Sequence, residues 1–280
     1  MKIIKSILRN ALFLLVFMMA CSSVFAKTLN FAIVSDVHYK ASIDLEQTES
    51  AKALDGLIAR INENKYDFVV FLGDNIDKSK VNELESFLTV LQKLKTPYYL
   101  VMGDKDVHKI SGIDKRDYVK IVAKYNKNQK KTGNNYVFYP SNDVAMIVLD
   151  SVSSGMPTTH GVVSKKTLVW LDETLKANAN KKVLIFQHVP YFAPYEKPSY
   201  EILEKQEYKA ILTKHNNVFA VVSGHYHVEF AKIDNGVVHY CVPALSEQPY
   251  YYVDSQLKYD KFILGKAKNF KLDGKLKPAI

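Results

Sequence analysis

Five short islands of acidic and imidazole side chains carry the chemistry available to this chain. They are Asp36-Val37-His38, Gly73-Asp74, Gly103-Asp104-Lys105-Asp106, the single His188, and Gly224-His225-Tyr226-His227. Mixed carboxylate and imidazole donors suit borderline cations such as zinc, manganese and iron, whereas all-oxygen sets suit magnesium or calcium. No cysteine stands in any island. Asp36 and His38 are two apart, as are His225 and His227, and in extended backbone two such residues project to the same side. A lone Asp-x-His or His-x-His arises often by chance, and an isolated buried histidine is more often a hydrogen-bonded core residue than a ligand. Five islands in this order point instead to a metal site. Its histidines ligate only when neutral, so metal occupancy is expected to fall as pH drops through the imidazole range near ~6.5.

Each island follows a short apolar run, at residues 29–34, 68–72, 98–102, 183–186 and 218–222. These runs are β-branched or aromatic and apolar on both faces, as strands of a sheet covered on both sides are. Such strands bring residues far apart in sequence to one rim. Between them, periodic segments at 45–62, 81–94, 117–125, 167–177 and 200–212 read as amphipathic helices. No internal repeat, low-complexity segment or linker interrupts the pattern, so one α/β domain is expected.

The order of motifs resembles the calcineurin-like metallophosphoesterases. Asp-x-His is followed by Gly-Asp-x-x-Asp (Gly73-Asp74-Asn75-Ile76-Asp77), a turn like Gly-Asn-His-Asp, His-x-Pro (His188-Val189-Pro190) and Gly-His-x-His. The stretch from Ile147-Val148-Leu149-Asp150-Ser151 to Leu168-Val169-Trp170-Leu171 is similar to the branch containing bacterial cyclic-nucleotide phosphodiesterases. Asp77 stands where purple acid phosphatases carry a tyrosine, which sets that branch aside. The resemblance implies a four-layer sandwich, two mixed central sheets flanked by helices. It also implies two divalent metal ions, manganese, iron or zinc. Asp36, His38 and His227 would hold one, Asp104, His188 and His225 the other, and Asp74 would bridge them. Such a pair polarises phosphoryl oxygens and makes hydroxide available from water at neutral pH. Ser35 and Ser223 then serve as turn or supporting hydroxyls and not as nucleophiles.

The third island departs from the family pattern. Asp104-Lys105 replaces an Asn ligand followed by the His that is thought to protonate the leaving oxygen. The Asp adds one negative charge and the Lys one positive charge, so the field met by a phosphate is nearly preserved. Lys105 would stabilise charge on the phosphoryl oxygens. Asp106 matches the residue that orients the family histidine and is placed to pair with Lys105. His108 is a candidate acid, or a loop histidine without a role.

At the N-terminus, Lys2, Lys5 and Arg9 precede an apolar stretch at 11–20, and Val24-Phe25-Ala26 offers small residues for signal peptidase. The expectation is a signal peptide over 1–26, then a metallophosphoesterase domain over 27–280 with a basic C-terminal extension, periplasmic or secreted. In the second reading Met18-Met19-Ala20-Cys21 is a lipobox and the protein is anchored through Cys21, the one expected route to membrane contact. Cys241 is left as a small buried hydrophobe. Loops at 151–161 and 191–199 are long enough to shape a pocket, with His160, Tyr191, Phe192 and Tyr195 either lining it or packing beneath.

The formal net charge is +9, and removal of the leader leaves +6, favouring encounter with anionic substrates. The lysine-rich tail with Phe262 and Phe270 is read as a solvated hairpin or extension, and no nucleic-acid partner is expected. Two functions stay open: an exported phosphohydrolase acting on a small phosphate monoester or diester, nucleotides among the candidates, or a catalytically weakened relative that uses the cleft for recognition.

Overall fold

The computed structural model describes residues 28–41, 47–130, 132–155, 158–194, 200–248, 250–258 and 261–270. The leader, Cys21 and Tyr195 lie outside them. Among the described residues eleven strands form two sheets: β1 (Leu29–Val34), β2 (Phe68–Phe71), β3 (Tyr98–Leu100), β4 (Tyr136–Ser141), β5 (Val144–Val148), β6 (Lys182–Phe186), β7 (Val218–Ser223), β8 (Phe230–Asp234), β9 (Val237–Cys241), β10 (Tyr250–Lys258) and β11 (Lys261–Phe270). The first sheet runs β11-β10-β1-β2-β3 and the second β4-β5-β6-β7-β9-β8. Within them β1, β2 and β3 are parallel, as are β5, β6, β7 and β9.

Strand alternation explains the two apolar faces. Leu29, Phe31 and Ile33 of β1 meet Met146, Leu184, Phe186 and Val222 of the other sheet in one buried cluster. The intervening Ala32 and Val34, with Val69 and Phe71, belong to a second cluster shared with the helices. Both faces of each sheet are thus covered, giving the expected four layers. Phe31 is fully buried, stacks on Phe68 with ring centroids 4.7 Å apart, and meets Phe186 edge-on at 6.3 Å.

The helices are α1 (Glu49–Glu63), α2 (Val81–Leu91), α3 (Lys115–Tyr125), α4 (Lys165–Ala177) and α5 (Lys205–Lys214). Their starts differ from the sequence reading where a cap decides. Thr48 accepts from the Ala51 N–H, so α1 begins there and not at 45. Asp114 caps α3 and Ser164 caps α4, each opening its helix two residues early. The α5 helix starts five residues late, leaving Tyr200 outside it.

The tail is no appendage: β10 pairs antiparallel with β1, Leu29 opposite Leu257, and carries β11 on its far side. Tyr250 and Tyr252 are buried and Tyr251 half-buried, the alternation of a packed strand. Cys241 is buried and free, as expected.

Truncating Phe31 to Ala should remove about 3–5 kcal/mol of stability, as large-to-small core changes do. Urea denaturation would read it, and a loss below about 1 kcal/mol would show that the two sheets do not depend on this contact.

Candidate metal centre

β1, β2, β3, β6 and β7 all end at one rim, and the seven candidate ligands lie just past those ends. Two groups form there: Asp74, Asp104, His188 and His225, and Asp36, His38 and His227, with the potential ligand atoms of each group within 4.8 Å of one another.

The backbone that presents them is not extended. Asp36, His38, Asp74, His225 and His227 have φ of 51°, 44°, 47°, 72° and 58°, and Asn235 is the one other non-glycine residue with positive φ among those described. The left-handed region is uncommon for residues with a side chain. The expectation that period-two strand geometry aligns each pair is therefore corrected: left-handed turns beyond the strands do so. Tight approach of the loops requires glycine. A Cβ on Gly73, itself at φ 96°, would fall 2.7 Å from His188 Nδ1, and one on Gly224 would fall 2.6 Å from Asp36 Oδ2.

In the first group, Asp104 Oδ1 lies 3.1 Å from His188 Nε2 and 3.2 Å from His225 Nδ1. Asp74 Oδ1 lies 3.3 Å from His188 Nε2 and accepts the Lys105 N–H at 2.8 Å. Its other oxygen faces the second group, 3.7 Å from His38 Nε2. There His38 Nε2 and His227 Nε2 face each other at 3.3 Å. Asp36 accepts the His225 N–H through Oδ2 at 3.0 Å, while its buried Oδ1 has no hydrogen-bond donor, although His227 Nε2 is 3.3 Å away out of line. A buried carboxylate oxygen without a donor and two facing imidazole nitrogens fit a cation between them.

The remaining imidazole nitrogens are fixed from behind. His188 Nδ1–H donates to the Leu72 carbonyl at 2.9 Å and His225 Nε2–H to the Thr159 carbonyl at 2.9 Å. A carbonyl only accepts, so in the neutral rings the opposite nitrogens hold their lone pairs toward the clusters. His227 Nδ1 is 2.6 Å from Glu247 Oε1. Glu247 and the two carbonyls escaped the sequence reading: nothing around Glu247 forms a motif, and a backbone acceptor has no residue signature.

Electrostatics follow from crowding. Burial alone would lower His188, but Asp74, Asp104 and Asp36 outweigh it and push it up to about 10. Burial is likewise outweighed at His227, where Asp36 and Glu247 raise it to about 9. His38 is lowered, mainly by burial. Asp74 is raised well above the carboxylate range by burial, with Asp104 and Asp36 adding to the effect. For Asp104, hydrogen bonds from His188 and His225 overcome a larger burial effect and hold it low.

Lys105 Nζ lies 3.5 Å from Asp104 Oδ2 and its side chain is half exposed. Asp104 raises its pKa. The expected pairing of Asp106 with Lys105 is not made. Asp106 is fully buried and accepts from the Gly103 N–H at 2.8 Å, the Ile76 N–H at 3.0 Å and Asn75 Nδ2 at 2.8 Å. It is a positioning residue for the turn and not a group in the cleft. His108 lines a cleft beside Lys105, with Nδ1 accepting the Ser111 N–H at 3.1 Å. His160 lines the same cleft. Tyr191 and Phe192 instead pack around His239, with centroids 5.3 and 5.0 Å away. Tyr200, which the helix reading had absorbed, lines the cleft over the clusters.

Asp106→Ala would strand two buried N–H groups, each costing about 1–3 kcal/mol. A total loss of about 3 kcal/mol or more is expected in chemical denaturation; an unchanged midpoint would show that the turn holds without this carboxylate.

A family model for calcineurin-like phosphoesterases matches residues 29–229. A protein of Moraxella catarrhalis named as a probable cyclic nucleotide phosphodiesterase is 25% identical, over 71% of this chain and 72% of its own. A probable glycerophosphodiester phosphodiesterase GpdQ of Arcobacter nitrofigilis is 26% identical, over 69% and 70%. In fold, a dimetal phosphatase from Danio rerio superposes with a TM-score of 0.69 at 17% identity, covering 86% of this chain and 96% of that one. The matched span contains all seven candidate ligands together with strands β1–β7 and helices α1–α5, and the chain belongs to the calcineurin-like phosphoesterase family of metal-dependent hydrolases.

Proposed function

We propose that this protein is an exported dinuclear phosphohydrolase that cleaves small phosphodiesters. The observation that carries this reading is the Asp74 carboxylate, one oxygen beside His188 and the other beside His38. Asp36, His38 and His227 would hold one divalent cation, Asp104, His188 and His225 the other, and Asp74 would be shared. Manganese, iron and zinc all suit this donor set. When bound, such a pair polarises phosphoryl oxygens and acidifies water for in-line attack.

The chain's own contribution is orientation and charge. The Leu72 and Thr159 carbonyls and Glu247 hold the three imidazoles in the tautomer that ligation needs. Lys105 sets a fixed ammonium beside Asp104, where charge grows on a phosphoryl oxygen as the ester breaks. The two named phosphodiesterase relatives support a diester substrate. The leader with Lys2, Lys5, Arg9 and the 11–20 apolar stretch supports export.

Manganese-dependent nitrophenol release from bis(nitrophenyl) phosphate tests the activity, and Asp74→Ala tests the site. That variant should lose metal at both positions; two retained equivalents of unaltered affinity would remove Asp74 from its role.

Metal binding should also follow pH above the free-imidazole range. Without a cation, His188 and His227 keep their protons to about 10 and about 9. Metal must displace those protons at neutral pH, so apparent affinity should rise from pH 6 toward 9 and titration at pH 7 should release protons. The sequence expectation near ~6.5 is moved upward by the carboxylates. Affinity that stays level from pH 6 to 9 would argue against ligation by these two rings.

Lys105→Ala should lower kcat by roughly 100-fold, the lower end of the loss when one charge-stabilising donor is removed. Full activity in that variant would assign Lys105 no catalytic part. If the parent is inert and Asp104→Asn with Lys105→His restores turnover, the recognition-protein reading prevails.

A further inference from the structure

The site opens into two clefts. One, about 460 Å³, lies over the ligand clusters and is lined by Asp74, His38 and His227 among others. The second, about 710 Å³, lies beside it and shares Asp104, Lys105 and Thr159 with the first. A substrate with its scissile phosphate at the clusters therefore reaches the larger cleft across Lys105. Its volume is in the range of small-molecule pockets, more than a phosphate alone requires.

The walls of the larger cleft choose the chemistry. Lys78, Lys80 and Lys105 place three lysines in its lining, and His108 and His160 two histidines. No ion pair or hydrogen bond among the described residues engages Lys78 or Lys80 Nζ. The nearby acids have partners of their own: Asp77 pairs with Lys40 at 3.6 Å, Glu83 accepts the backbone N–H of Lys78 at 3.0 Å, and Asp104 faces His188, His225 and Lys105. Because His108 Nδ1 accepts the Ser111 N–H, its neutral ring offers Nε2–H as a donor. His160 Nδ1 is buried with no partner. Among the described residues Val107 is the single apolar side chain of the lining, and no tyrosine, tryptophan or phenylalanine contributes to it. An anion carried on a hydroxylated group finds lysine, histidine, serine and threonine side chains along this lining.

We propose that the larger cleft binds a second phosphate carried by the alcohol portion of the substrate, so that the preferred substrate is a phosphodiester of a phosphorylated polyol or sugar. The inference rests on the phosphohydrolase reading and specifies its substrate. Hydrolysis forms a bond from the water oxygen to phosphorus and breaks the one to the alcohol, whose oxygen takes a proton. The second phosphate departs with that alcohol. Lys78 and Lys80 are specificity residues and take no part in the bond changes.

The test compares kcat/KM on glycerophosphoglycerol with kcat/KM on the same diester bearing a second phosphate on its terminal hydroxyl, followed by phosphorus NMR on the manganese-loaded protein. The phosphorylated diester should be preferred ten-fold or more, and in Lys78→Gln with Lys80→Gln the two values should converge to within two-fold. Lys93→Gln with Lys120→Gln removes the same charge elsewhere on the surface and should keep the preference. No preference in the parent, or one lost equally in both double variants, overturns the subsite. If neither diester is cleaved, the phosphohydrolase reading fails for this class while the subsite is still decided. Glycerol 3-phosphate titrated into chelator-treated protein should then bind at least ten-fold more weakly to the Lys78/Lys80 variant, and equal or absent binding in both overturns it.

Discussion

Three carboxylates, Asp36, Asp74 and Asp104, are gathered at the joint rim of two sheets, and two of them are buried almost completely. Removing ionised groups from water costs several kcal/mol each unless charge or hydrogen bonds answer them. The protein answers in part. His225 and Lys105 donate backbone N–H groups to Asp36 and Asp74, and the Lys105 ammonium faces Asp104. What is left over is legible in the chemistry: one Asp36 oxygen without a donor, and Asp74 and two histidines pushed toward holding protons. A divalent cation and a proton are competing solutions to the same excess of negative charge, which is why metal affinity and pH are tied here.

Holding those groups together uses backbone that side chains ordinarily avoid. Five of the seven candidate ligands have positive φ, a conformation that costs of order 1–3 kcal/mol at each non-glycine position and persists only where surroundings enforce it. The enforcement is visible. Asp36 N donates to the Gly73 carbonyl and His38 N to the Asp74 carbonyl, while Gly224 N donates to the His188 carbonyl. Each left-handed turn is stitched to the neighbouring strand end, and the strands are clamped between the other sheet and the helices.

The parts of this arrangement that could be read beforehand are those written in side-chain type at strand ends. Five strands, β1, β2, β6 and β7 inside the sheets and β3 at an edge, announced themselves because burial on both faces demands unbroken apolar runs. The edge strand β8 did not: it carries Ala231, Lys232 and Ile233 exposed in a row, which has no strand-like alternation. The tail was legible from its lysines and phenylalanines as a hairpin or extension but not as the continuation of the first sheet, since pairing of β10 with β1 joins residues 220 or more apart in sequence. In the site, all seven ligand candidates converge, yet Glu247, Tyr200 and the carbonyls behind the histidines were invisible, because they are brought in by topology from segments without a motif. Asp106 was misread as a partner of Lys105 for another reason: its match to the family residue that orients a histidine suggested a contact with the lysine in that histidine's place, whereas the turn folds Asp106 inward onto Gly103 and Ile76.

The pairing of Asp104 with Lys105 has a structural reason beyond charge counting. Asp104 turns Oδ1 to the two histidines and keeps Oδ2 for the ammonium. An asparagine would offer the same carbonyl oxygen to the cluster but an NH₂ group toward the lysine, which cannot accept from it. The aspartate is thus what makes a lysine tolerable at the lip of the site. An ammonium raised by its carboxylate stays charged across the physiological range, so it serves as a fixed cation and is a poor proton donor. On the proposed phosphohydrolase reading, the proton for a leaving oxygen then comes from water or from the His108 side of the larger cleft. On the proposed reading, a centre built this way favours esters whose leaving group points away from the clusters, past Lys105, toward the cleft lined by Lys78 and Lys80.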